Sequence, residues 1–162
     1  MLLLFNKPYG VISQFTSDNP NESTLADYIS LPGYYAAGRL DKNSEGLLLL
    51  TNDGALQHRL SNPKFNKRKY YWVQVEGTPT EQDLLPIKKG LKLNNISYKP
   101  ANISIIQEPD LWPRNPPIRF RQSQPTCWLE IILSEGKNHQ IRKMTAAIGF
   151  PTLRLVRYRI DN

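Results

Sequence analysis

Apolar and polar positions alternate along this chain in short segments, and few of them hold a helical period for long. Met1–Phe5 (MLLLF) is an unbroken apolar run and reads as a buried strand, stopped by Lys7-Pro8-Tyr9-Gly10. Val11–Phe15 offers a second short strand, and the polar Ser17–Ser23 stretch a loop. Ser23 or Thr24 can cap a brief helix through Tyr28 and Ile29, ended by Pro32-Gly33. Leu47–Thr51 sets four leucines between Gly46 and Asn52-Asp53-Gly54, the pattern of a strand buried on both faces and followed by a tight turn. A short helix across Ala55–Leu60 comes next.

Lys69–Glu76 (KYYWVQVE) is aromatic and β-branched, hence a strand. Thr78-Pro79-Thr80-Glu81 combines a capping box with Pro at the first helical position, and Gly90 supplies the stop. Pro86 inside that segment predicts a kink or a shorter helix. Leu91–Leu93 and Ser97–Lys99 flank Asn94-Asn95 as a hairpin, and Ile103–Gln107 and Cys127–Leu133 are further strands. In His139–Ile148 the residues Ile141, Met144, Thr145 and Ile148 share one helical face, with Gly149 at the stop. Leu153–Ile160 closes the pattern as a strand whose Arg154, Arg157 and Arg159 form a basic edge. Many strands with few short helices predict an α+β protein on a mainly antiparallel sheet. The whole of 1–162 reads as one unit, with two lobes meeting near residues 75–80.

The chain has 162 residues and carries 21 Lys plus Arg against 14 acidic residues, a formal charge of +7. That excess favours a polyanionic partner, because phosphates bound by basic residues release counterions. Cys127 is the single cysteine, which excludes an internal disulfide and any cysteine cluster for zinc. No apolar run approaches the ~20 residues of a membrane span. A soluble, cytoplasmic protein without membrane attachment is expected.

Three stretches could carry chemistry. Gly38-Arg39-Leu40-Asp41-Lys42-Asn43-Ser44-Glu45-Gly46 places a carboxylate in a polar loop at the mouth of a very apolar strand, where Asp41 could be a nucleophile or a general base. The plain alternative is a loop residue paired with Arg39. Ser134–Met144 feeds a glycine-containing turn into a helix start bearing Arg142 and Lys143, a setting suited to phosphate or a developing anion. With only His58 and His139 in the chain, no histidine cluster can build a metal site. Basic and aromatic residues interleave in Lys64–Trp72 and Trp112–Arg121, as single-stranded RNA recognition requires; on a strand, some of Tyr70, Tyr71 and Trp72 must be packing residues. A P-loop, a dinucleotide fingerprint and a nucleophile elbow are all missing, which speaks against nucleotide hydrolysis, dehydrogenation and serine hydrolysis.

Taken together, Gly38-Arg39-Leu40-Asp41 running on to Ser44–Gly54, Lys69-x-Tyr71-x-Val73, and Glu135–Met144 resemble the three motifs of the RsuA-type bacterial pseudouridine synthases, in order and spacing. Asn6-Lys7-Pro8 is also typical of that family. Trp112–Arg119 and Phe150–Leu155 look closest to a branch that modifies 23S ribosomal RNA and lacks an N-terminal S4 RNA-binding domain. Family members usually continue past Asp161-Asn162, so the C-terminal end reads as truncated or naturally short.

The resemblance implies the pseudouridine synthase catalytic fold, two lobes sharing one sheet, and a single catalytic domain. It implies that the chain isomerises a uridine of 23S ribosomal RNA, free or in an assembling large subunit, without cofactor or metal and as a monomer. Asp41 would be the nucleophile, attacking the ribose C1′ or the uracil ring, and Arg142 the cation that keeps it ionised. Tyr71 would lie against the base, stacking on it or helping to remove the C5 proton. Ile141 would pack the other face, and Arg39 would enter the RNA helix where the base left. Lys42, Lys69 and Lys143 would contact phosphates. The rivals are a non-catalytic RNA-binding assembly factor on the same fold and a nucleoside glycosidase. The latter usually needs two carboxylates, and only Glu45 stands near Asp41 in sequence.

Overall fold

The computed structural model describes residues 1–119 and 124–161; Phe120 and Arg121 of the basic and aromatic stretch, and Asn162, lie outside the described residues. The chain divides into two compact units, Met1–Lys67 and Arg68–Asn162. The division therefore falls just ahead of the KYYWVQVE strand, not at 75–80.

The first unit holds β1 (Leu2–Lys7), β2 (Tyr35–Ala36), β3 (Glu45–Thr51) and α1 (Gly54–Ser61). β3 pairs antiparallel with β1, from Leu2↔Thr51 to Lys7↔Gly46, and with β2 at Thr51 and Leu50. Every β3 residue except half-buried Leu47 is buried, as its four leucines predict. β1 is different: Leu2 and Leu4 are 43% and 70% exposed, while Leu3 and Phe5 pack inward. An all-apolar run conceals the period of two that every strand imposes. Leu48, Leu50, Val11, Leu25, Tyr34 and Leu40 form this unit's core.

Val11–Phe15 is not a strand; Val11 makes only an isolated parallel bridge to Ser23. Thr24 does act as a cap, with Asp27 accepting a bond from the Thr24 amide at 3.1 Å, but the element it starts is a single 3₁₀ turn, Leu25–Asp27. Asp53 accepts from the amides of Ala55 and Leu56 and so starts α1.

The second unit holds β4 (Lys69–Glu76), α2 (Glu81–Lys89), β5 (Leu91–Leu93), β6 (Ile96–Tyr98), β7 (Asn102–Ile106), β8 (Thr126–Leu133), α3 (Gln140–Ala147) and β9 (Thr152–Ile160). β4 lies between β8 and β9, with β7 beyond β8, and all three pairings are antiparallel. β5 and β6 form the expected hairpin: Asn94 and Asn95 take φ 49° and 67°, the left-handed pair that a two-residue turn of this kind needs.

The cap of α2 is Thr80 with Asp83, not Thr78 with Glu81, and Pro79 precedes the cap. α2 is not cut short at Pro86 and continues to Lys89. A helix-interior proline costs about 3 kcal/mol, but Leu84 and Ile87 are fully buried and stabilise by about 1.5–3 kcal/mol each, so burial wins.

Alternation along β4 sends Tyr71, Val73 and Val75 into a core with Leu129, Ile131 and Met144. Tyr70 and Trp72 occupy the other face. Trp72 stacks on Tyr158 at 4.1 Å, and the Tyr158 hydroxyl donates to Glu130 at 2.6 Å. Burial, then that carboxylate, pushes the Tyr158 phenol well above its usual range. The basic edge predicted for β9 does not exist. Arg154 pairs opposite Gln74 and Arg157 opposite Tyr71, so they fall on different faces of the strand, and both are buried. Only Arg159 is exposed, above the ring of Tyr70.

Candidate active site

Asp41 is partly exposed on the loop between β2 and β3, and bonds fix the main chain on both sides of it. Leu40 is held by Ser13, whose hydroxyl donates to the Leu40 carbonyl at 2.7 Å and accepts from the Leu40 amide at 3.1 Å. On the other side, the Lys42 carbonyl accepts from the Gly10 amide at 2.8 Å and from Lys7 Nζ at 3.4 Å. Lys7 is completely buried and also donates to the carbonyls of Val11 (2.7 Å) and Pro8 (3.0 Å). Its place follows from strand parity: Leu3, Phe5 and Lys7 share the inward face of β1. The Ser44 amide donates to the Asp41 carbonyl at 3.0 Å and closes the turn into β3.

In the second unit, the loop between β8 and α3 is closed by side chains. Gln140 is buried at the first position of α3. Its Nε2 donates to Glu135 Oε1 at 2.9 Å, while its Oε1 accepts from the Lys137 amide at 3.2 Å. Glu135 also accepts from the Lys99 amide at 2.7 Å and from Lys137 Nζ at 3.0 Å. Burial works to raise the Glu135 carboxyl, but the bonds from Lys137, Lys99 and Gln140 outweigh it and hold the group below its usual value. Burial, with Arg157 nearby, lowers the Lys69 ammonium, and Glu135 opposes this. Lys69 Nζ lies against Gly136, 3.1 Å from where a Cβ would stand.

The expected site residues fall in two sets. Arg39 (exposed) and Asp41 belong to the loop of the first unit. Lys69, Tyr71, Ile141, Arg142 and Lys143 belong to the second, where Tyr71 and Ile141 pack in one core. Ile141 is itself buried, Arg142 half-buried and Lys143 exposed. Glu45, the carboxylate nearest to Asp41 in sequence, is enclosed at 1% exposure, which removes it from solvent as a partner for glycoside hydrolysis. The stretch at 112–119 also changes meaning. Arg114 donates to the carbonyls of Pro116, Pro117 and Leu153, and Arg154 to that of Trp112, so both arginines staple a loop to β9.

Lys7, Ser13, Glu135 and Gln140 were not singled out for these roles by sequence reasoning. Lys7 lies in the Asn6-Lys7-Pro8 opening and Glu135 and Gln140 in the third motif, but nothing local marked Lys7 or Gln140 for burial. Among the described residues no group of His, Cys, Asp and Glu could hold a metal ion, and no helix is long and apolar enough to cross a membrane.

Residues 1–147 match the family model of the RNA pseudouridylate synthases, and the chain belongs to that family. It is 57% identical over 157 residues to the ribosomal large subunit pseudouridine synthase E of Vibrio vulnificus, an alignment covering 97% of this chain and 67% of that protein. The protein of the same name from Xanthomonas axonopodis pv. citri is 52% identical over 164 residues, covering 100% of this chain and 86% of the relative. A crystal structure of a pseudouridylate synthase is similar with a TM-score of 0.79 at 28% identity, over 99% of this chain but 63% of that one. The chain thus spans less than two thirds of that solved chain.

Proposed function

We propose that this chain converts a uridine of large-subunit ribosomal RNA to pseudouridine, with Asp41 as the nucleophile. Family membership and the names of the relatives support the reaction and the RNA. One observation carries the assignment of Asp41: the main chain is pinned at both Leu40 and Lys42. An ordinary loop carboxylate has no need of such fixing, whereas a nucleophile gains from it because misplacement by ~1 Å can cost on the order of 10²-fold.

The isomerisation breaks the N1–C1′ bond, turns the base and rejoins it through C5, so atoms and oxidation state are conserved. The uracil first leaves its stack, at a cost of a few kcal/mol. Counterion release at the basic surface offsets that cost. Asp41 then attacks C1′ or the uracil ring. A bound base desolvates its carboxylate and would raise its pKa, and Arg142 opposes that shift. Tyr71 and Ile141 hold the base, Arg39 fills the gap it leaves, and Lys42, Lys69 and Lys143 contact phosphates. The enzyme works as a monomer in the cytoplasm.

The test uses large-subunit RNA transcript tritiated at uracil C5, with release counted for the wild type and for Asp41→Asn. Release by the wild type and a loss of many orders in the variant are expected, beyond the ~10²–10⁴-fold typical of losing a general acid or base. Substantial turnover by Asp41→Asn would sink the nucleophile. Binding without any release would favour an RNA-binding assembly factor, and free uracil would favour a glycosidase.

A further inference from the structure

The side chain of Gln140, the first residue of α3, turns back onto the loop before it, and its Nε2 also meets Met144 Sδ at 3.9 Å. His139, just ahead of the helix, has a left-handed backbone (φ 50°, ψ 34°) and makes no side-chain cap. The first turn is held instead by Gln140, through the Lys137 amide and Glu135. Glu135 carries the restraint further, to the Lys99 amide after β6. Lys137 adds a bond from its Nζ to the Ser97 carbonyl at 2.6 Å. A glutamine at the start of a helix would normally lie in solvent; this one is 3% exposed.

We infer that Gln140, acting through Glu135, is a positioning residue that fixes the first turn of α3 and with it the guanidinium of Arg142. The inference rests on the reading that Arg142 serves Asp41. Arg142 lies two positions after Gln140, so any fraying or rotation of the first turn moves it directly. Ile141, between them, is anchored in the core and would keep the helix attached. Loss of the latch therefore misaims Arg142 without unfolding α3.

Release of tritium from the labelled transcript is measured for Gln140→Ala and Gln140→Glu beside the wild type, with Lys88→Ala as a control. Lys88 is exposed on α2, and its ammonium pairs with Glu81. Gln140→Ala should lower kcat by on the order of 10²-fold, with KM within about twofold, the split expected when a transition-state contact is lost and RNA binding is kept. Lys88→Ala should match the wild type.

Gln140→Glu supplies the readout that a purely structural role would not move. Its carboxylate would face Glu135, with Lys137 and Lys69 the charged groups beside the pair and the Lys99 and Lys137 amides donating into it. Two carboxylates so close cannot both ionise without penalty, so one proton is shared at a raised apparent pKa. The variant should be nearly as impaired as Gln140→Ala at high pH. Its kcat relative to wild type should recover as pH falls and the pair takes up its proton. Wild-type kcat in Gln140→Ala, or a wild-type pH profile in Gln140→Glu, overturns the inference. If Gln140→Ala does not fold, the Gln140→Glu profile decides alone. If the wild type itself releases no tritium, the functional reading fails, and hydrogen exchange at the Lys137 amide tests the latch. Faster exchange in Gln140→Ala supports the latch, and unchanged protection refutes it.

Discussion

The Asp41 loop and the β8–α3 loop are both held by residues distant in sequence, but the bonds end on different groups. Around Asp41 they end on main-chain atoms of Leu40 and Lys42, and the donors Ser13 and Lys7 are buried. Before α3 they run through a carboxylate, a carboxamide and an ammonium, with the Lys99 and Lys137 amides and the Ser97 carbonyl from the backbone. A backbone clamp fixes where the chain passes on either side of Asp41, through main-chain atoms of Leu40 and Lys42. A side-chain latch fixes a helix end, and its strength depends on the charge of Glu135. The first arrangement should be indifferent to moderate acid; the second should weaken in it.

The largest expected effect comes from Lys7→Met, which keeps most of the length of the side chain but strips three carbonyls of their charged donor. Hydrogen bonds to charged groups contribute about 1.5–3 kcal/mol each, so the variant should lose at least about 3 kcal/mol in denaturant unfolding. A loss below about 1 kcal/mol would show that the loop does not depend on this cation and would break the comparison at its strongest point. Ser13→Ala should cost less, about 1–2 kcal/mol for two neutral bonds, yet lower kcat by about tenfold or more through Leu40. Unchanged kcat with the expected loss of stability would reduce Ser13 to a packing role.

Acid separates the two loops. Glu135 titrates below its usual value when folded, so its contribution to stability is present above the unfolded carboxyl pKa, near 4.3. It is lost as pH falls through the lower folded value. The Lys99 amide resonance should track that titration with a midpoint below the usual glutamate value, while the Gly10 amide keeps its bond to the Lys42 carbonyl. A Lys99 midpoint at or above the usual value would contradict the latch. The smallest effect is expected from Lys42→Ala. Its ammonium meets Glu22 at 3.3 Å in solvent, and such exposed pairs contribute about 0–1 kcal/mol. Its carbonyl, untouched by the substitution, keeps the clamp. A larger loss would mean that the side chain, not the main chain, anchors this loop.

Much of the architecture was legible because it rests on local rules. KYYWVQVE gives β4 residue for residue, LLLL gives the buried β3, Asn94-Asn95 the hairpin, and the apolar face ending at Gly149 gives α3. The errors arose where pattern was ambiguous or a global force intervened. MLLLF hid which leucines face out, two threonines competed for one cap, and core burial carried α2 through Pro86. Arg154 and Arg157 looked like an edge because charge was read without parity.

The sequence alone determined the family, the mainly antiparallel α+β class and the segments that hold Asp41, Tyr71 and Arg142. Those segments are contiguous, and their residue types and backbone preferences act over a few positions. Tertiary structure alone decided that Ser13 grips Leu40, 27 residues on, and that Glu135 reaches the amide of Lys99, 36 residues back. It also decided that Lys7 and Gln140 are buried while Leu4 is not. A hydrogen bond across such a separation leaves no periodic trace in the sequence. Burying a lysine or a glutamine is tolerable only when partners from elsewhere in the chain satisfy it, and the fold is what brings those partners into place.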